Sequence, residues 1–131
     1  MESRIRVGLA SVFVADQAHA LRFYTETLGF AKKTDLPVGE YRFLTVTAPG
    51  GPVEIELLLE PNSHPAAAAF QRAIHADGIP ATVFFVPDVR AEHARLREFG
   101  VEFTGDPTET EFGWMAVFDD TCGNLIQLQQ G

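Results

Sequence analysis

Cysteine is nearly missing from this chain: Cys122 is the only one in 131 residues. An internal disulfide needs two, and a cysteine-rich zinc centre needs several, so both are excluded. Positive charge is also scarce. Ten Lys and Arg face 18 Asp and Glu, a formal net charge of −8, and Lys32–Lys33 is no more than a pair. A negative surface repels phosphate backbones, which argues against nucleic acid as a partner. No apolar run approaches the ~20 residues that cross a bilayer, and Met1 to Arg6 lacks the uninterrupted apolar core of a signal peptide. A cytoplasmic protein with no membrane partner is the expectation.

What is present is an ordinary globular mix, 46% hydrophobic and 21% charged, enough to bury one core over a single domain's length. Ile5 to Val14 is rich in Val, Leu, Ile and Phe, as strands are. Asp16 can cap a helix carrying Leu21, Tyr24 and Leu28 at i, i+3 and i+7, which Gly29 ends. Phe30–Thr34, Tyr41–Thr47 and Val53–Glu60 then read as strands, with turns at Pro37–Gly39 and Ala48–Pro52. The order repeats further on. Ala81–Val86 is strand-like, Asp88 can cap a helix through Val89, Leu96 and Phe99, and Gly100 stops it. Val101–Thr104, Trp114–Phe118 and Leu125–Gln129 complete the set.

Three anchors lie in register between the halves. Phe13-Val14-Ala15-Asp16 matches Phe85-Val86-Pro87-Asp88, Leu28-Gly29-Phe30 matches Phe99-Gly100-Val101, and Ile55-Glu56-Leu57 matches Ile126-Gln127-Leu128. An internal duplication follows. The expected fold class is α+β: two tandem βαβββ modules forming a curved mixed sheet around a cavity, with helices on the outer face. Module 1 spans residues 4–61, a connector helix 62–78, and module 2 79–130, all one domain.

Strand alternation then assigns faces. Ile55, Leu57 and Leu59 are expected under the helices, and Glu54, Glu56, Leu58 and Glu60 on the cavity side. Gln127 is the counterpart of Glu56. Leu9, Ser11 and Phe13 join the cavity face, with Ala81, Val83 and Phe85 as counterparts, and Phe43 is matched with Trp114. The candidate ligand-binding set is therefore Phe13, Phe43, Glu56, Phe85, Trp114 and Gln127. Aromatic walls with a few polar groups suit a small molecule; the bland reading is that the rings plug the sheet or form a dimer contact. Glu56 is also the candidate catalytic residue, since a carboxylate without a partner in a cavity can act as a general base. The alternative is a carboxylate paired to Arg42.

The stretch Val14-Ala15-Asp16, Ala20-Leu21-Arg22-Phe23-Tyr24 and Leu28-Gly29-Phe30 resembles the opening of glyoxalase-type domains. The segment from Asp119 to Leu128, Asp-Asp-Thr-Cys-Gly-Asn-Leu-Ile-Gln-Leu, resembles their closing motif. Together they cover nearly the whole chain, which is thereby similar to the vicinal oxygen chelate superfamily of glyoxalases, bleomycin-resistance proteins and extradiol dioxygenases. The resemblance implies metal-ligand positions at Leu9, Glu56, Ala81 (with Thr82 beside it) and Gln127. Two of these have no donor atom, so no metal and no other cofactor is expected, a divalent ion held with help from His64 being the alternative. The implied function is a small-molecule-binding protein with a degenerate metal site, often a homodimer in the family. Its competitor is a metal-dependent glyoxalase-like lyase or isomerase, or a dioxygenase, with displaced ligands. The acidic balance suits a cationic ligand, with Glu54 or Glu56 as counter-charge and Trp114 or Phe43 as a cation–π face. Cys122 reads as a turn residue, and Asp119-Asp120 as a turn.

Overall fold

The computed structural model describes residues 2–51 and 55–131. It divides into two compact units, Met1–Pro61 and Asn62–Gly131. In the first, the strands β1 (Leu9–Val14), β2 (Ala31–Val38), β3 (Tyr41–Thr47) and β4 (Glu56–Pro61) accompany the helix α1 (Gln17–Arg22), which runs on into a π-helical turn over Phe23–Thr27. The second holds the helices α2 (Pro65–Ala76) and α3 (Val89–Glu98) and the strands β5 (Thr82–Val86), β6 (Thr108–Thr110), β7 (Gly113–Asp119) and β8 (Leu125–Gln130). Each unit has one four-stranded mixed sheet, ordered β1-β4-β3-β2 and β5-β8-β7-β6. The outer pairs β1–β4 and β5–β8 are parallel and the rest antiparallel. The fold is α+β, built from two tandem βαβββ modules. Among the described residues no helix is long and apolar enough to cross a membrane.

The helix starts follow their caps. Asp16 Oδ1 accepts from the His19 N–H at 3.0 Å, and Asp88 Oδ1 accepts from the Ala91 N–H at 3.1 Å. Each satisfies a backbone donor that the first turn leaves open. Gly29 and Gly100 follow the helical segments with φ of 91° and 84°, a conformation that costs glycine little.

In the first unit α1 lies against β3 and β4. Val12, Val14, Ala20, Tyr24, Leu44, Val46 and Leu59 are buried. The second unit buries Val89, Leu96, Ala116, Phe118, Ile126 and Leu128, with α3 against β7 and β8. Each such valine, leucine, isoleucine or phenylalanine contributes about 1.5–3 kcal/mol through lost contact with water, which is why these alternate positions set the strand faces. Polar straps add direction. Gln17 Nε2 donates to the Arg42 and Leu59 carbonyls at 2.7 and 2.9 Å, and its Oε1 accepts from the Arg42 N–H, tying α1 across two strands. In the second unit the strap comes from the sheet: Gln130 Oε1 accepts from the Val89 N–H at 3.0 Å.

Three expectations shift. The strand expected at Val101–Thr104 is reduced to a bridge between Phe103 and Phe118, and β6 forms only at Thr108, after Gly105 and Pro107 have broken the run. Pairing of β4 begins at Glu56, which leaves Ile55 outside the strand and 47% exposed instead of under a helix. β2 is longer than expected and passes through Pro37, which an edge strand tolerates because one row of its N–H groups needs no partner. Val53 and Glu54, part of the expected strand, lie outside the described residues.

Candidate functional site

Glu56 stands at the first residue of β4, beside Leu9 of β1. Its Oε1 accepts two hydroxyl protons, from Thr45 at 2.6 Å and Thr34 at 3.2 Å. Thr45 is fully buried, and its oxygen also accepts the Thr34 backbone N–H at 3.1 Å. That acceptor role turns the Thr45 proton towards Glu56. Arg42 is not the partner of Glu56. It lies on the opposite face of β3, where its guanidinium grips Asp35 through two bonds of 3.0 and 2.7 Å. The Asp35 carboxyl is held below its ordinary value, first by the Arg42 hydrogen bonds and then by the charges of Arg42 and Lys32. Among the described residues no cation meets Glu56.

Alternation places Phe13 of β1 and Phe43 of β3 on the same face as Glu56, together with Leu36 of β2. Phe43 is 37% exposed, Leu9 43% and Leu36 57%, so this face is apolar and open. Ile5 and Val7, just before β1, are also exposed.

In the second unit Gln127 pairs with Val83 on one side and Val117 on the other. Its Nε2 donates to Gln129 Oε1 at 3.2 Å, and Gln129 Nε2 donates to the Phe112 carbonyl at 2.9 Å. Phe85, opposite Gln129, shares this face and is 70% exposed. Trp114 does not share it. Met115 pairs with Gln129 and Ala116 with Leu128, which sends Trp114 to the side covered by α3. There the Arg90 guanidinium lies 4.4 Å from the centre of its ring. The match of Trp114 with Phe43 was one residue out, and an odd slip flips the face. The match of Leu9 with Ala81 disagrees with that of Glu56 with Gln127 by two residues, since Leu9 pairs with Glu56 but Val83 with Gln127. An even slip leaves the face unchanged.

Sequence reasoning missed Thr34 and Thr45. Alternation alone would have put Thr45 on the face of Glu56. Thr34 was hidden, because a β-bulge between Lys32 and Thr34 resets the register there.

The other candidates resolve into structure. Asp120 is fully buried, with Oδ1 accepting from the Cys122 and Asn124 N–H groups and Oδ2 from Asn124 Nδ2. Cys122 is buried in the same turn. His64 caps α2 by accepting the Ala66 N–H on Nδ1. His75 Nε2 lies 2.9 Å from Asp119, and the His93 ring packs edge-on against Phe103.

A model of the Glyoxalase/Bleomycin resistance protein/Dioxygenase superfamily matches residues 6–128. The chain belongs to that superfamily. It is similar to the uncharacterized protein YurT of Bacillus subtilis (strain 168), with 52% identity over 126 residues, 96% of this chain and 99% of that protein. Among solved structures it resembles UcmS2 at a TM-score of 0.83 and 36% identity, covering 97% of this chain and 98% of the other. It also resembles TnmS3, described as an antibiotic binding protein from Streptomyces sp. CB03234, at a TM-score of 0.78 and 34% identity over 99% and 98% of the two chains.

Superfamily members that use a divalent ion draw His and Glu or Gln ligands from central positions of both modules. The residues here do not fit that group. The partner of Glu56 across β1 is Leu9, and that of Gln127 across β5 is Val83, neither with a donor atom. That leaves one carboxylate, Glu56, and one neutral amide, Gln127, as donors at these positions. A borderline divalent ion needs three or four good donors to displace water, and among the described residues no group of three or more His, Cys, Asp or Glu is placed to hold one.

Proposed function

We propose that this superfamily member binds small organic molecules on open sheet faces, chiefly the one that carries Glu56, Phe13 and Phe43 in module 1, and also the one that carries Gln127 and Phe85 in module 2. One observation carries the reading: a carboxylate fixed by two threonine hydroxyls, meeting no cation among the described residues, stands on a face of exposed apolar side chains. Such a face offers area for an apolar ring system and one oriented polar contact, the combination that small-molecule sites use. The likeness to TnmS3, an antibiotic binding protein, supports it. Trp114 is left out of the set because its ring already stacks with Arg90. Glu56 serves here as a ligand contact, and neither a metal nor another cofactor enters the reading. We read the protein as a cytoplasmic homodimer, the exposed Leu36 and Val38 giving apolar area for a second copy to cover; sedimentation equilibrium that finds only monomer at high concentration would remove this part.

The test uses two fluorescent planar probes, the cation 9-aminoacridine and the neutral 1-aminoanthracene, with amide chemical shifts as the map. Saturable shifts at Leu9, Phe43 and Glu56 on the first face, and at Phe85 and Gln127 on the second, with Trp114 little moved, are expected. If neither probe gives saturable shifts at these residues, the proposal fails.

A further inference from the structure

We propose that Thr34 and Thr45 are positioning residues that hold Glu56 as a one-sided acceptor, and that they thereby select a cationic ligand with an N–H donor. This rests on the ligand-binding reading of the Glu56 face and names its ligand class. The argument begins at the bulge. Ala31 pairs with Thr47 and Lys32 with Val46, but Thr45 is matched by Thr34, with Lys33 left over. In an unbroken antiparallel ladder Lys33 would stand opposite Thr45, and cross-strand partners share a face. Its ammonium would then lie on the side of Glu56. The bulge turns Lys33 out to solvent and brings the Thr34 hydroxyl to Glu56 Oε1 instead. One extra residue thus replaces an internal cation with a neutral donor.

The consequence is chemical. Both hydroxyls donate to Oε1, so rotation of the carboxylate is restrained and Oε2 is presented as an acceptor that no described residue engages. The Thr45 hydroxyl is itself oriented by the Thr34 N–H, so the whole set is tied to the β2–β3 ladder. A charged N–H group reaching Oε2 gains a charge-assisted bond without first displacing a lysine or arginine. Neutral ring systems can use the apolar face but gain less from Oε2. The selection is for charge, carried by position.

The experiment compares affinities for 9-aminoacridine and 1-aminoanthracene in the full chain and its variants. The wild type prefers the cation, and E56Q lowers that preference by about tenfold, the order expected for one charge-assisted contact. T34K supplies the internal ammonium that the bulge removes, so it abolishes the preference for the cation. T45V loses part of the preference and T45S keeps it, a pattern that a purely structural role of Thr45 would not give. A ligand-free arm follows the carbon-13 resonance of the Glu56 carboxyl at neutral pH: it moves in T45V and returns in T45S. If that resonance is the same in wild type and T45V, or if T34K binds the cation as well as wild type does, the inference is overturned. If the resonance responds but neither probe binds, the positioning role stands and the ligand-binding reading falls.

Discussion

The two modules share one plan and differ most on the sheet face turned away from their helices. Module 1 carries a carboxylate there, fixed by hydroxyls from two neighbouring strands. Module 2 carries a chain of amides, Gln127 to Gln129, that ends on the Phe112 carbonyl. Beneath these faces the framework is kept: aspartate caps, apolar alternation and glycine stops recur in order. Duplication preserves what packing demands, and the open face is free to diverge because few contacts constrain it. A neutral amide chain offers a ligand little charge, whereas the clamped carboxylate offers a good deal. The modules are therefore unequal partners in recognition.

The framework also differs in its anchors, and the largest effect should come from breaking the one that only module 2 shows. Gly123, at φ 107° in the turn before β8, lies against Gln71 of α2; a Cβ there would stand 2.7 Å from Gln71 Nε2. Gln71 is buried, accepts from Asn62 Nδ2, and donates to the Cys122 carbonyl and Asn124 Oδ1. Gly123→Ala therefore combines backbone strain with displacement of a buried amide, and should lower stability by about 3–4 kcal/mol in urea unfolding. Q71A in the same background should cost less than it does alone, because the clash partner is gone. Additive losses would mean that turn and helix are not joined through this contact.

The next comparison sets the straps of the two modules against each other. Gln17 reaches from α1 to two strand carbonyls and one strand N–H, whereas Gln130 gives a single bond to the Val89 N–H. Gln17→Ala leaves buried backbone groups open and should cost about 2 kcal/mol; Gln130→Ala should cost about 1 kcal/mol. Equal losses in thermal or urea unfolding would show that the count of strapped backbone groups is not what distinguishes the modules.

Much of this framework could be read in the sequence. Asp16 and Asp88 announced helix starts, Gly29 and Gly100 announced the stops, and Tyr41–Thr47 is a strand with the bounds expected. These signals are local: a cap or a period needs only its own neighbours. Pairing register is not local. Trp114 is expected to correspond to Phe43 and to share its face, yet the β7–β8 pairing sends it to the other one. The bulge at Lys33 was equally hidden, since Lys-Lys-Thr reads the same with or without it. Glu56 was found because acidic residues alternating with leucines are visible by period. Thr34 and Thr45 were not, because a hydroxyl becomes informative only when the strand beside it is known.

The smallest effect concerns the helix-side edge of each module, where a cation is held differently. In module 1 Arg42 grips a carboxylate, Asp35; in module 2 Arg90 lies over an aromatic ring, Trp114. Only the first can respond to acid. Arg42 holds the Asp35 carboxyl below its ordinary value of 3.8, so protons bind the unfolded chain more readily than the folded one. A depressed folded-state value gives stability that is fully present above about pH 5 and fades as pH falls below the unfolded value and through the folded one. Arg42→Met should therefore be less stable than wild type at neutral pH, by less than either strap variant, and the gap should close on acidification below pH 4. Salt should narrow it too, because the pair is partly exposed and its charges are screened. Arg90→Met is the control: among the described residues no carboxylate lies within ion-pair distance of this cation, so its deficit should stay flat over the same acid range. A gap in Arg42→Met that ignores acid, or one in Arg90→Met that follows it, would mean that the arginines act through packing of their stems and not through what their charges face.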